Sequence, residues 1–150
     1  MAAEKNMDDR QFLVFRIDNQ EYGVDIQKVT TIIEKDMSIA RVPKTPDFIK
    51  GVINLRGEII PVMSIRKRFN FPEVEDTEET RIVVLKTDEI IIGIIVDAVA
   101  EVVRLSDDAI ENITTLSNDV VMDYISGVGK INDRIVTIIN IEKLIDITQA

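Results

Sequence analysis

Residues 51 to 62 read GVINLRGEIIPV and place two aliphatic runs on either side of a short polar tip. Runs of β-branched residues bounded by glycine are typical of strands, and Arg56-Gly57 fits the two central positions of a hairpin turn. The stretch therefore predicts a β-hairpin with an arginine at its tip. That arginine is either a solvated turn residue or a group whose planar fork binds a carboxylate of the nearby helix or of a partner.

The same pattern occurs again near the end of the chain. Residues 126 to 145, SGVGKINDRIVTIINIEKLI, align without gaps with residues 50 to 69, KGVINLRGEIIPVMSIRKRF, at an offset of 76 positions. Strand-turn-strand units at 12–25 and 81–96 also carry glycine at similar places. The repetition indicates an internal duplication, and hence two small all-β barrels packed side by side. The second hairpin has Asn132-Asp133 at its tip, so the hairpin itself does not require Arg56.

The segments between these units predict short helices and one exposed connector. Asp25 can cap a helix, and Ile26, Val29 and Ile33 fall on one helical stripe with Ile32 at its edge, which predicts a helix over 26–34. Single helical turns are predicted at 64–69, 106–110 and 141–145, a loop at 111–124, and a long strand from 90 through Asp97 to 105 in which a bend is left open.

Domain boundaries follow from composition. Residues 71–80, FPEVEDTEET, are acidic and lack apolar periodicity, which indicates an exposed connector. The N-terminal residues 1–10 predict a flexible tail. Residues 11–150 then form a single domain made of two similar barrels at about 12–70 and 81–147, with strand exchange between the barrels left open.

The composition excludes several classes of function. The chain contains no cysteine and no histidine, so it lacks the thiolate nucleophile, the commonest general base and the commonest metal ligands. Its 18 basic and 27 acidic residues give a net charge of -9, which repels nucleic acid and anionic membranes. The apolar run at 90–96 is far shorter than the roughly 20 residues of a membrane helix. The sequence therefore predicts a cytoplasmic binding protein that is not an enzyme and uses no cofactor or metal.

Several motifs together resemble the CheW-like family of chemotaxis coupling proteins. The most specific is FIKGVINLRG at 48–57, and residues 12–15, 21–26 and 139–144 fit as well. The resemblance extends over about 11–145, nearly the whole chain. It implies an all-β fold, mainly β with short helices, in which two SH3-like five-stranded barrels surround a shared hydrophobic core.

The resemblance also implies a function and partners. A member of this family is a chemotaxis adaptor that couples the cytoplasmic tips of methyl-accepting chemoreceptors to the regulatory domain of the histidine kinase CheA. Receptor state then controls kinase activity. The adaptor is expected in the cytoplasm, recruited to membrane-associated receptor arrays without inserting into the membrane itself.

Two sets of interface residues follow from the resemblance. A receptor helix is expected in a groove between the barrels, lined by Leu13, Ile26, Val29, Ile32, Arg56, Val99 and Val102. The kinase is expected to bind a barrel end formed by Ile39, Arg41, Val42, Lys50 and Gly51. One departure is Thr31, which stands where some members carry a glutamate that pairs with the arginine of the NLRG motif. Glu34 is a candidate substitute for that glutamate.

Two alternative functions stay open on the sequence alone. One is a CheW-like scaffold of a non-flagellar chemosensory pathway. The other is a ligand-binding β-barrel unrelated to chemotaxis, for which a large enclosed pocket would be the discriminating observation.

Overall fold

The structure is a computed structural model that describes residues 9–34, 37–111 and 124–146. In chain order the strands are β1 (Asp9–Ile17), β2 (Gln20–Asp25), β3 (Val29–Glu34), β4 (Ile49–Leu55), β5 (Glu58–Ser64), β6 (Arg81–Lys86), β7 (Ile91–Val96), β8 (Ala98–Ser106), β9 (Ile110–Glu111), β10 (Ile125–Ile131) and β11 (Arg134–Ile139). The helical elements are α1 (Ile65–Arg68), α2 (Ile141–Leu144) and 3-10 turns at Ile26–Lys28 and Asp107–Ala109. Within the described ranges no helix is long and apolar enough to cross a membrane.

The strands form two sheets. Sheet A has six strands in the order β8-β1-β2-β11-β10-β9, and sheet B has five in the order β3-β6-β7-β5-β4. Each sheet takes strands from both sides of the connector at 71–80, because the chain crosses from sheet A to sheet B after β2 and returns after β7. The predicted all-β fold of two SH3-like barrels is confirmed. Sheet A has one strand more than predicted, because the two-residue β9 pairs with β10.

The duplication inferred from sequence is supported by the strand register. In the β4–β5 and β10–β11 hairpins the pairing shifts by one residue beside the first glycine of each hairpin. The second strand of each hairpin then pairs in parallel with a strand of the other unit, opposite Gly93 in sheet B and opposite Gly23 in sheet A. The side chains of Ser64 and Asn140 each accept a hydrogen bond from the amide three residues on, at 3.2 Å, and thereby cap α1 and α2.

Three clusters of buried apolar side chains stabilise the sheets. The largest lies between the sheets and takes residues from both, with Phe69 of the segment after α1 near its centre. The rings of Tyr22 and Tyr124 lie 5.5 and 5.9 Å from the Phe69 ring, centroid to centroid. Smaller clusters cover the other face of each sheet, around Phe12 in sheet A and Ile60 in sheet B. Each fully buried large side chain contributes roughly 1.5–3 kcal/mol, so the shared core makes the two barrels one stable unit.

The helix predicted over 26–34 is wrong beyond its first turn. Residues Ile26–Lys28 form a single 3-10 turn, and the β-branched run at 29–33 continues as strand β3. Branched Cβ atoms pack well on a pleated sheet, and pairing with β6 supplies the hydrogen bonds that a helix would have made internally. The predicted turns at 64–69 and 141–145 are confirmed as α1 and α2.

Two other boundaries differ from the predictions. Strand β1 begins at Asp9, and Asp9 and Arg10 pair with Ser106 and Leu105, so these two residues belong to the sheet and not to the predicted tail. The strand predicted from 90 to 105 is divided at Asp97 into β7 of sheet B and β8 of sheet A. The rest of the tail and most of the loop predicted at 111–124 lie outside the described residues.

Candidate protein-binding surfaces

Each sheet ends in a strand that carries a β-bulge. Strand β3 is an outer strand of sheet B, and β8 is an outer strand of sheet A. The pairing of β3 with β6 and the pairing of β8 with β1 each skip one residue. Because a bulge inserts one residue, side chains three positions apart then lie on the same face. Val29 and Ile32 share a face of β3 in this way, and Val99 and Val102 share a face of β8.

These four side chains point to the face of each sheet that covers the shared core. Their register partners all belong to the shared core, namely Leu85, Val83, Phe15 and Leu13. Val29 and Val99 are half-buried against that core, whereas Ile32 and Val102 are 42% and 48% exposed. The residues of one edge lie 70 positions from those of the other, which is the offset between Gly23 and Gly93 of the repeated units at 12–25 and 81–96. The two barrels therefore present equivalent apolar edges at the border of the shared core.

The remaining apolar members of the predicted groove differ in exposure. Leu13 is only 3% exposed and packs inside the shared core, so it supports the groove without lining it. Ile26 lies in the 3-10 turn that precedes β3 and packs half-buried on the same core. Ile33, which the helical stripe included, points to the opposite face of sheet B and packs in the cluster around Ile60. The predicted stripe is therefore wrong for Ile33, and the groove assignment of the other residues stays a prediction.

Arg56 occupies a strained backbone conformation at the hairpin tip. Leu55 pairs with Glu58, so Arg56-Gly57 is a two-residue turn, and Arg56 has a φ of 53°. Such left-handed geometry costs a side chain with a Cβ roughly 1–2 kcal/mol. In the second hairpin Asn132 has a φ of 54°, and asparagine tolerates this conformation better than arginine does.

The Arg56 side chain is exposed and makes no hydrogen bond or ion pair with any described residue. The turn is held instead by Asn54, whose side-chain oxygen accepts a hydrogen bond of 3.0 Å from the Gly57 amide. Glu34, the candidate substitute for the missing glutamate, ends β3 at one side of sheet B, while Arg56 follows β4 at the other. An unpaired, strained cation at a hairpin tip is available to a carboxylate of a partner.

The predicted kinase surface lies along the outer edge of β4. Ala40 exchanges two backbone hydrogen bonds of 2.8 Å with Val52, which pairs the preceding segment with β4. Gly51 is buried with a φ of 150°, and a Cβ there would clash with the Ala40 carbonyl oxygen. Gly51 therefore permits the close approach of this segment and offers no side chain to a partner.

The other members of the kinase set are not equally accessible. Arg41 and Val42 are exposed, whereas Ile39 packs half-buried against the cluster on the outer face of sheet B. The Lys50 ammonium lies 3.3 Å from a carboxylate oxygen of Glu73. Arg41 and Val42 are therefore the side chains that a partner would meet first, and the kinase assignment stays a prediction.

The acidic connector is anchored at its start. Glu73 accepts hydrogen bonds from the Ser64 hydroxyl at 2.6 Å and from Lys50. Burial alone would raise the pKa of Glu73, but the hydrogen bond from Ser64 and the charge of Lys50 outweigh it and hold the pKa below its ordinary value. Arg66 donates a further hydrogen bond of 2.9 Å to the Pro72 carbonyl. The connector is thus exposed, as predicted, but its first residues are attached to the body of the protein.

Cavities in the structure differ from the enclosed pocket expected of a ligand-binding barrel. Three cavities of about 520 to 580 Å³ are open to solvent, and charged side chains are prominent in their walls. One of these cavities has more acidic side chains in its wall than the other two, and most of those side chains belong to the connector. Among the described residues no group of three or more potential metal ligands comes together.

A duplicated all-β double barrel whose exposed features are apolar edges and an unpaired cation belongs to the class of protein-binding scaffolds. The model of the CheW-like domain matches residues 11–149. The chemotaxis protein CheW of Klebsiella aerogenes is 38% identical over 136 residues, covering 91% of this chain and 81% of that protein. The chemotaxis protein CheW of Helicobacter pylori is 34% identical, covering 95% and 85%.

A solved structure shows the same fold. The crystal structure of the scaffolding protein TtCheW from Thermoanaerobacter tengcongensis matches with a TM-score of 0.85 at 34% identity, covering 94% of this chain and 95% of that chain. The chain therefore belongs to the CheW-like family, a family of scaffolds, and it is a chemotaxis adaptor.

Proposed function

We propose that this chain couples the cytoplasmic tips of chemoreceptors to the regulatory domain of the histidine kinase CheA, so that receptor state controls kinase activity. The observation that carries the proposal is the pair of equivalent apolar edges, with Ile32 and Val102 exposed beside the shared core. An amphipathic helix buries its apolar face in such a groove through anchors spaced one turn apart. The adaptor acts in the cytoplasm and reaches the membrane through the receptors that it binds.

The expected affinity contribution of each edge follows from its exposure. Ile32 and Val102 are each about half exposed, so a receptor helix that covers one of them gains roughly half the burial free energy of a full side chain, about 0.75–1.5 kcal/mol. That amount corresponds to about a four- to twelvefold change in Kd. A carboxylate at either position costs more, because binding would then bury an unpaired charge.

The kinase surface is separate from the receptor surface. Arg41 and Val42 lie beside β4, whereas Val29 and Ile32 lie on β3, and these strands are the two outer strands of sheet B. The apolar receptor edge and the kinase surface therefore lie on different strands, and Arg56, which follows β4, is the one member of the predicted receptor set on the kinase side. An adaptor needs this arrangement, because coupling requires both partners to be bound at once.

The proposal is tested by binding of separate receptor-tip and kinase regulatory-domain fragments. We expect Ile32→Asp and Val102→Asp to abolish receptor binding and to leave kinase binding and the circular dichroism spectrum unchanged. The matched control is Ile135→Asp, since Ile135 is 59% exposed and lies on β11, away from both edges. Conversely, Val42→Asp should weaken kinase binding alone. Full receptor binding by both edge variants would refute the groove, as would equal loss in the Ile135→Asp control.

A further inference from the structure

The chain crosses between the sheets twice in its described part, and a short helix contacts each crossing. At the first crossing, between β2 and β3, the Lys28 ammonium lies 3.8 Å from a carboxylate oxygen of Glu142 in α2. At the second crossing, between β7 and β8, Asp97 binds Arg66 of α1. Arg66 and Glu142 are equivalent positions of the duplicated unit. Both crossings thus carry an ion pair to a short helix with the charges exchanged, and only the helix residues of the two pairs are equivalent in the repeat.

The two ion pairs differ greatly in geometry. The Arg66 side chain is only 10% exposed, and its Nε and Nη2 donate to the two carboxylate oxygens of Asp97 at 3.1 and 2.6 Å. Bidentate charge-assisted pairs of this kind are geometrically specific. Lys28 and Glu142 are 37% and 63% exposed and share a single long contact, and exposed pairs of this kind contribute little. One crossing is therefore firmly held and the other is loosely held.

The firmly held crossing joins elements of both sheets. Arg66 follows β5 of sheet B, and its Nη1 is held by the Pro72 carbonyl. Asp97 accepts a further hydrogen bond of 2.9 Å from the amide of Asp18, in the β1–β2 turn of sheet A, and its own amide donates to the Arg16 carbonyl of β1 at 3.0 Å. Strand β8 begins immediately after Asp97. The position of the β8 edge relative to sheet B is therefore set at this contact.

We propose that Arg66 and Asp97 are positioning residues for the receptor site, which hold the β8 edge at the angle to the β3 edge that a receptor helix requires. The inference rests on the proposed function. Without the pair, the shared core still joins the barrels, but the start of β8 is no longer fixed relative to sheet B and only a fraction of molecules has a groove of the right width. The apparent receptor Kd then rises by the inverse of that fraction. The kinase surface lies within sheet B, so its affinity is unaffected.

The first test measures the angle between the barrels without any partner. The chain contains no cysteine, so cysteines placed at the exposed residues Glu34 of β3 and Arg104 of β8 can be spin-labelled specifically. We expect electron-electron double resonance to show a broader distance distribution in Arg66→Gln and in Asp97→Asn than in the parent protein. The matched control Glu142→Gln, at the equivalent helix position, should leave the distribution unchanged. Equal widths in all four proteins would overturn the inference.

The second test measures binding to the same two fragments as above. We expect Arg66→Gln and Asp97→Asn to raise the receptor-fragment Kd about tenfold, as for one molecule in ten with a competent groove, and to leave the kinase-fragment Kd within about twofold. The receptor-fragment Kd of the double variant should be no higher than that of the single variant with the higher Kd, because both changes interrupt one contact. An equal loss for both fragments, or no loss for either, would overturn the inference.

The two tests separate failure of the inference from failure of the proposed function. If Arg66→Gln does not fold, Asp97→Asn carries both measurements. This substitution is nearly isosteric and lies at a partly exposed position, and the asparagine side-chain oxygen still offers an acceptor to the Asp18 amide. If the parent protein binds no receptor fragment, the proposed function is wrong, and the distance distributions still decide whether Arg66 and Asp97 set the angle between the barrels.

Discussion

Replacing Gly51 by alanine tests how the kinase surface is built. A Cβ at this position would clash with the Ala40 carbonyl oxygen and approach the Ile39 side chain to 2.9 Å, and the backbone φ of 150° is one that alanine rarely adopts. The segment that carries Arg41 and Val42 must then separate from β4. The change should therefore disturb the candidate surface without touching its exposed side chains.

The loss of stability follows from the hydrogen bonds that this separation breaks. Ala40 and Val52 lose two hydrogen bonds, at about 0.5–1.5 kcal/mol each, and the strained φ adds about 1 kcal/mol or more. We expect Gly51→Ala to lower the free energy of unfolding by about 3 kcal/mol. In urea denaturation this corresponds to a midpoint about 1–2 M lower.

Gly57→Ala is the matched control. Gly57 has a φ of 85°, but a Cβ there meets nothing within 4 Å, so only the backbone strain of about 1–2 kcal/mol is added. Gly51→Ala should also weaken binding of the kinase fragment while receptor binding is retained. Equal denaturation midpoints for the two alanine variants would refute the close-approach argument, and unchanged kinase binding would separate the segment from the kinase site.

Three further predictions concern single charged side chains. Arg56→Asn matches Asn132 of the second hairpin and relieves the left-handed strain, so the free energy of unfolding should stay equal or rise by about 1 kcal/mol. Receptor control of the kinase should be lost in a reconstituted assay. Retained control would contradict an interface role for Arg56. Arg68→Met removes the donors to three carbonyl oxygens at the end of α2. The free energy of unfolding, measured by urea denaturation, should fall by about 3 kcal/mol. A loss below about 1 kcal/mol would mean that water replaces the lost donors. Burial alone would raise the pKa of Asp97, but hydrogen bonds from Arg66 and the Asp18 amide hold it below its ordinary 3.8. Its contribution to stability is present above that pH and is lost as pH falls through the lower folded value, so Asp97→Asn should flatten the acid side of the stability profile.

The two hairpins can be predicted from the sequence, because the positions of glycine and of β-branched residues determine them locally. The residues around Gly51 and Gly127 form the predicted strands, and the 76-residue offset corresponds to equivalent hairpins in two sheets. The helix predicted over 26–34 is a strand from Val29 onward. The pattern was ambiguous because a bulged strand and a helix both place residues three apart on one face. The helical pattern therefore predicts the shared face of Val29 and Ile32 for the wrong reason. Ile33 distinguishes the two structures, because it points to the opposite face of sheet B.

Contacts between distant segments were beyond the reach of local patterns. Arg66 belongs to the predicted helical turn, but nothing near it in sequence indicates that it binds Asp97, 31 positions away. One signal was present in the repeat, since Glu142 stands at the position equivalent to Arg66, as Asn132 stands opposite Arg56. At Arg66 this difference in charge coincides with a buried bidentate pair in one unit and a single long, exposed contact in the other. The burial of Leu13 likewise depends on how the sheets pack and could not be read from β1 alone.

One molecule of this chain is expected to bind a receptor tip and a kinase regulatory domain at the same time. Co-sedimentation of the kinase domain with immobilised receptor-tip fragments, with and without the chain, tests it directly. We predict that the kinase domain sediments only when the chain is present. Ile32→Asp should abolish this bridging and Val42→Asp should weaken it, while each variant retains the opposite partner. Displacement of the receptor fragment by the kinase domain, or equal sedimentation of the kinase domain without the chain, would show that the chain does not bridge the two partners.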